Sequence, residues 1–283
     1  MAKNRCIYSR RAGVFLLPAV IAAVVWFAGC ASFYSRDEVI DLLVRVCKKE
    51  KNLEIQARLV DKNLIVFLPL DELFDSRLNI LPKAVDDIEA VVMLTSRVLL
   101  STKEKIDFYT VIAADTQNTA AEVTLIRYFD DIYKFMYEWI SREEYRKRLV
   151  WKVIFNPKHL YSKNFDFLVE PMSLPLFLTR QIEQRVNANF EASKRLKVAV
   201  DGFWQAEARR LLFTVTFADA AMFRAVIAPL ILREAAVVAR DYRFTDFYEV
   251  TVVNNFGPDT VNAAPADLAA RYANIPLQQL LPQ

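Results

Sequence analysis

The sequence predicts an α+β fold of two similar units, each a strand hairpin followed by a helix and a further strand, with helices on one face of mixed sheets. Three observations predict it. Apolar runs of strand length come in pairs joined by turn residues, as in LEIQARLV (53–60), Asp61-Lys62-Asn63 and LIVFLPL (64–70). Segments between the pairs carry apolar residues at helical spacing, as in PKAVDDIEAVVMLTSRVLL from Pro82. The string Asp107-Phe108-Tyr109-Thr110-Val111-Ile112 has an echo in Asp246-Phe247-Tyr248-Glu249-Val250-Thr251, each after a hairpin and a long helix. Divergent duplication and coincidence both account for that echo.

The elements follow in chain order. Val39, Ile40, Leu43, Val44 and Cys47 predict a short helix over 37–51. After the first hairpin, Pro82 suits a first helical turn, and Val85, Ile88, Val92, Thr95 and Leu99 keep a 3.6 period up to Leu100. Residues 107–113 read as a strand. A long helix is expected over 120–148: Leu125, Phe129, Ile132, Met136 and Ile140 share one face, while Arg127 with Asp131 and Lys134 with Glu138 sit four apart on another. The aromatic neighbours Tyr128, Tyr133, Phe135, Tyr137, Trp139 and Tyr145 either line a groove or, as is commoner on such a helix, pack in cores and interfaces. A strand is expected over 149–155. Pro157, Pro171 and Pro175 then mark a linker.

The second unit is expected to hold a helix over 176–192 and a hairpin of strands 197–203 and 207–217 with its turn around Gly202. A helix over 220–240 that absorbs Pro229 and a strand over 245–253 complete it. One short helix around 266–272 is the most that the Pro- and Ala-rich end should contain. The expected division is a leader, 1–29; an N-terminus with its short helix, 30–52; a first α+β domain, 53–171; a second, 172–257; and a tail, 258–283.

The chain opens with Lys3, Arg5, Arg10 and Arg11 and then runs wholly apolar from Val14 to Phe27. That run is shorter than the roughly 20 residues a bilayer-spanning helix needs and suits a signal peptide. It ends in Phe27-Ala28-Gly29-Cys30, which resembles the lipobox of bacterial lipoproteins, with Phe27 where leucine is usual. The resemblance implies that Cys30 takes a diacylglycerol thioether, that cleavage follows Gly29, and that the acyl chains tether the protein to membrane lipid. Ala31 in place of Asp implies an outer-membrane location facing the periplasm.

Removal of residues 1–29 leaves 33 Lys and Arg against 34 Asp and Glu, so no basic excess remains and a nucleic-acid partner is not expected. Cys47 is then the only unmodified thiol, which excludes an internal disulfide, and its helical setting reads as packing. Of four glycines only Gly202 and Gly257 survive cleavage, which excludes glycine-rich phosphate loops and dinucleotide turns. His159 is the single histidine, which excludes a multi-histidine metal site and reads as a loop residue. No cofactor or metal is expected.

Residues 53–155 resemble the OmpA-like and MotB-like peptidoglycan-binding domain. In that family a strand leads into a Leu-Phe-Asp-Ser step, a helix after a Leu-x-Pro, a strand ending in Gly-His-Thr-Asp, and a helix carrying an arginine. Here Leu73-Phe74-Asp75-Ser76, Leu81-Pro82 and Ala113-Ala114-Asp115-Thr116 stand in those places, the last without the glycine and histidine. The resemblance implies that Asp115 and Arg127 grip a diaminopimelate carboxylate and amine of peptidoglycan through charge-assisted hydrogen bonds. The residues alone also allow Asp115 in a strand-end turn and Arg127 paired with Asp131 on a solvated face.

The expected function is a membrane-anchored envelope lipoprotein with a non-catalytic binding or assembly role, its partner an envelope protein. A degenerate peptidoglycan binder is the first alternative. A carboxylate-dependent hydrolase is the second: Asp86, Asp87 and Glu89 or Glu143 and Glu144 would serve it, yet all read as solvated helix faces and no catalytic residue is assigned.

Overall fold

The computed structural model describes residues 34–117, 121–155, 171–193 and 197–281. The leader, Cys30 and His159 lie outside them. The first unit comprises α1 (Arg36–Lys51), β1 (Gln56–Val60), β2 (Asn63–Leu70), α2 (Pro82–Leu100), β3 (Phe108–Asp115), β4 (Ala121–Tyr128), α3 (Phe129–Met136), α4 (Arg142–Lys147) and β5 (Val150–Phe155). The second comprises α5 (Leu174–Ser193), β6 (Val200–Gln205), β7 (Arg210–Val215), α6 (Ala228–Asp241), β8 (Glu249–Asn254), β9 (Thr260–Ala263) and α7 (Leu277–Leu280). The α+β class and the mixed sheets hold.

Each sheet keeps its strands in chain order, β1-β2-β3-β4-β5 and β6-β7-β8-β9. Hairpin partners pair antiparallel, whereas β2 with β3 and β7 with β8 pair parallel because a helix crosses between them. Alternate residues of β2 and β3, such as Leu64, Val66, Tyr109 and Val111, face a core shared with α1 and α2. Ile65, Phe67 and Ile112 point to the opposite face and are buried there too. The second core lies between α5, α6 and the four-stranded sheet, and it also takes in Phe108 and Val150 of the first unit.

The echo is in structural register. Thr110 pairs with Ile65 and Asp115 with Leu70, as Glu249 pairs with Arg210 and Asn254 with Val215. Both units also carry the same strand-end clamp. Asp115 accepts the backbone N–H of Leu73 and of Gln117, and Asn254 accepts those of Phe217 and Phe256. Asp107 meets Lys62 and Asp246 meets Arg209, each a cation just before the second hairpin strand.

Four expectations are corrected. The long helix over 120–148 is instead β4, α3 and α4. β4 pairs on both sides, and its burial runs from three buried residues to five partly buried ones with no period-2 alternation, while its Val123, Thr124 and Ile126 suit a strand. Gly202 is not a turn residue but sits within β6, where the side chain of Thr179 presses close. The turn is at residues 206–209, with Arg209 at φ 45°. Beyond Gly257 the chain is no mere tail: β9 completes the sheet and Leu268 is buried, so the second unit runs past 257. Finally, α1 packs on α2 within the first core and belongs to that unit. Pro229 is absorbed by a π turn, Phe223–Ile227, whose wider backbone ring lies just ahead of the residue that lacks an N–H.

Candidate functional site

Among the described residues, a groove of about 700 Å3 is walled by α2 on one side and α3 and α4 on the other, with β4 as its floor. The helical period of α2 brings Ile88, Val92, Met93, Ser96 and Leu100 to this wall. Leu125 and Arg127, two apart on β4, project from the same face of the sheet. Phe135 from α3 and Tyr145 from α4 stack at 4.5 Å between ring centres and join the two short helices of the far wall.

Arg127 is the chemical centre of the groove. Its guanidinium lies 4.0 Å from the centre of the Tyr145 ring, and Nη1 donates to the Tyr145 carbonyl at 3.3 Å. Its Nε is buried and has no hydrogen-bond partner. No carboxylate pairs with the partly buried Arg127 among the described residues. Burial raises the Tyr145 hydroxyl pKa against the opposing pull of Arg127. Tyr109, directly across the ladder from Arg127, is fully buried and sits 3.0 Å from the Ser96 hydroxyl.

The faces of α4 differ in how their charges are used. Glu143 takes Lys147 at 2.7 Å, and Glu144 takes Arg148 at 2.8 Å and Arg185 at 3.2 Å. Arg142 and Arg146 are left lining the groove without a carboxylate partner among the described residues. Met93 and Met136 of the lining are exposed, and just past Met136 in the chain Tyr137 and Trp139 are exposed too, Trp139 to 73%, their rings stacked at 5.6 Å. Exposed apolar side chains grouped around a recess mark contact surfaces.

The expected pair of Asp115 and Arg127 is not brought together. Arg127 faces Tyr109 in the β3–β4 ladder, and Asp115 lies six residues farther along β3, roughly 20 Å away at strand spacing. Asp115 is fully buried in its clamp. Asp131 does not pair with Arg127 either: it binds Arg148 at 2.8 Å, because β4 ends before it and α3 turns it toward the second unit. Likewise Lys134 pairs with Asp130 at 2.8 Å and not with Glu138, which occupies a left-handed turn at φ 59°. Of the carboxylates weighed for catalysis, Asp86, Glu89 and Glu143 are exposed. Glu144 is not solvated as expected: it is partly buried, and its ion pairs hold its pKa low against the upward push of burial. Cys47 is a fully buried thiol whose pKa burial pushes up to about 11.

Sequence reading named Arg127, Phe135 and Tyr145 and allowed the aromatics a groove, but not its α2 wall, since α2 and α4 are brought together only by the sheet beneath them. Unexplained arginines within an aromatic-rich stretch were the available signal. Comparison with protein-family models, with curated proteins and with solved structures finds no match for this chain.

Proposed function

We propose that this protein is an exported lipoprotein of the cell envelope, tethered to membrane lipid through acylated Cys30. Its folded part is a non-catalytic binding module that receives its ligand in the groove between α2 and α4. The tether reading rests on the basic, apolar and Ala-Gly-Cys succession at the start of the chain. The binding reading rests on one observation above others: Arg127 lines a largely apolar recess without a carboxylate partner among the described residues, beside the exposed Met93 and Met136. The in-register strands and matching clamps of the two units also support their origin by divergent duplication.

Photo-crosslinking in native membranes tests the binding role. A crosslinking residue at position 93 or 139 is expected to capture a ligand, and one at the equally exposed position 248 is not. Equal capture at all three positions, or none, would overturn the assignment of the groove. Intact-mass analysis tests the tether independently, since an unmodified Cys30 sulfur would end that reading.

A further inference from the structure

The groove combines three properties that point to the class of its ligand. Of the four arginines that line it, Arg97 is paired with Glu50, whereas Arg127, Arg142 and Arg146 have no carboxylate partner among the described residues, and the single lining acid is Glu89. Its walls are apolar and partly adaptable, with Val92, Met93, Leu125, Phe135 and Met136 along α2, β4 and α3. Just past the lining residue Met136 the chain presents the stacked and exposed Tyr137 and Trp139. The lining stretch of α2 from Ile88 to Leu100 is about 18 Å long at helical rise.

We propose that this groove takes an anionic phospholipid from the membrane to which the protein is tethered, an inference that rests on the lipoprotein reading. The phosphate sits among Arg127, Arg142 and Arg146, whose forked donors match phosphate oxygens. The buried, unpartnered Nε of Arg127 thereby gains an acceptor, and a cation without a counter-ion gains one. An acyl chain lies along the Val92 and Met93 wall. Tyr137 and Trp139, rings with an apolar body and a polar edge, rest at headgroup level as such residues do at membrane interfaces. An inorganic anion satisfies the arginines but leaves the apolar wall bare; a neutral lipid does the reverse. Charge complementarity together with the tether selects the anionic lipid.

The test uses the full-length acylated protein reconstituted in phosphatidylcholine vesicles containing a minor share of phosphatidylglycerol, with bromine on the chains of one lipid or the other. Subtraction of the Trp139→Phe signal isolates the fluorescence of Trp139. Brominated phosphatidylglycerol is expected to quench it more strongly than brominated phosphatidylcholine at the same mole fraction. Arg127→Gln and, separately, the exposed Arg146→Gln are expected to weaken the apparent affinity about fivefold each. Arg146→Gln keeps the test open if the Arg127 variant folds poorly. Equal quenching by both lipids, or none, in a protein whose mass and vesicle flotation show the thioether, overturns the lipid site and leaves the tether standing; a rim covered by a protein partner gives the latter result. A protein that neither carries the thioether nor floats overturns both.

Discussion

The hydroxyl of Tyr242, just past α6, donates to the carboxylate of Asp131 on α3 at 2.6 Å, across the junction of the two units. The other Asp131 oxygen receives Arg148, whose guanidinium lies 4.8 Å from the centre of the Tyr242 ring. Gln181 of α5 closes the cluster by donating to the Arg148 carbonyl and to the Tyr242 hydroxyl. Phe108, Tyr128 and Phe177 pack beside it, so the junction has a core of its own. Burial raises the Asp131 carboxyl pKa against the pull of Tyr242 and Arg148, while Glu144 and Asp131 hold Arg148 protonated despite its burial.

Asp131→Asn leaves Arg148 with Glu144 as its remaining carboxylate and is expected to cost about 3–5 kcal/mol in urea unfolding. Tyr242→Phe loses one hydrogen bond to a charged group, about 1.5–3 kcal/mol. The double variant is expected to lose less than the sum, because the two residues share the same bond. Strict additivity would remove the cluster as the link between units.

Glu122 on β4 gives the fold a pH dependence. It is buried, and burial raises its pKa from the ordinary glutamate value of 4.5 to about 7. The folded state therefore keeps a proton that the unfolded chain releases. Stability is fully present below about 4.5 and declines as pH rises towards 7, by at most roughly 3 kcal/mol. Glu122→Gln is expected to flatten that slope and to stabilise the protein at pH 8, as read by melting temperature across pH.

Gly202 has a steric duty. A Cβ there would stand 2.9 Å from Cγ2 of Thr179 and 3.2 Å from its carbonyl oxygen. Gly202→Ala is expected to push α5 off β6 and cost about 1–3 kcal/mol, in line with overpacking. The Gly202→Ala, Thr179→Ser double variant, which removes the nearest contact, should recover part of the loss.

Cys47 offers a count of free sulfurs. Buried and with its pKa raised to about 11, it is expected to resist a thiol reagent in the folded protein and react once denatured. Mature protein with an acylated Cys30 yields one reactive thiol per chain in denaturant. Two would mean that the sulfur of Cys30 is free.

Local patterns were legible wherever one face of an element meets a core and the other meets water. The helix from Pro82 to Leu100 and the first hairpin lie almost where periodicity puts them. The buried β2 and β3 were legible as well, as short apolar runs bounded by turn residues. β4, which floors the groove with one face, mimicked a helix because Leu125 and Phe129 are four apart, although a strand ends and a helix begins between them. Asp115 and Arg127 were expected to act as one ligand-binding pair, which the structure does not bring together. Their neighbours along the chain could not reveal that one clamps a strand end and the other floors a groove.

What the sequence determined by itself was the α+β class, the repeated order of elements and the echo at Asp107 and Asp246, because each follows from turn chemistry and from the spacing of apolar residues. Only the tertiary structure decided that the five-stranded sheet sets α2 and α4 on either side of Arg127, and that Asp131 turns away from that arginine to meet Arg148 and Tyr242. Periodicity assigns a residue to a face of its own element. Which charge then meets which depends on strand order and register, set by contacts between residues as distant in the chain as Asp131 and Tyr242.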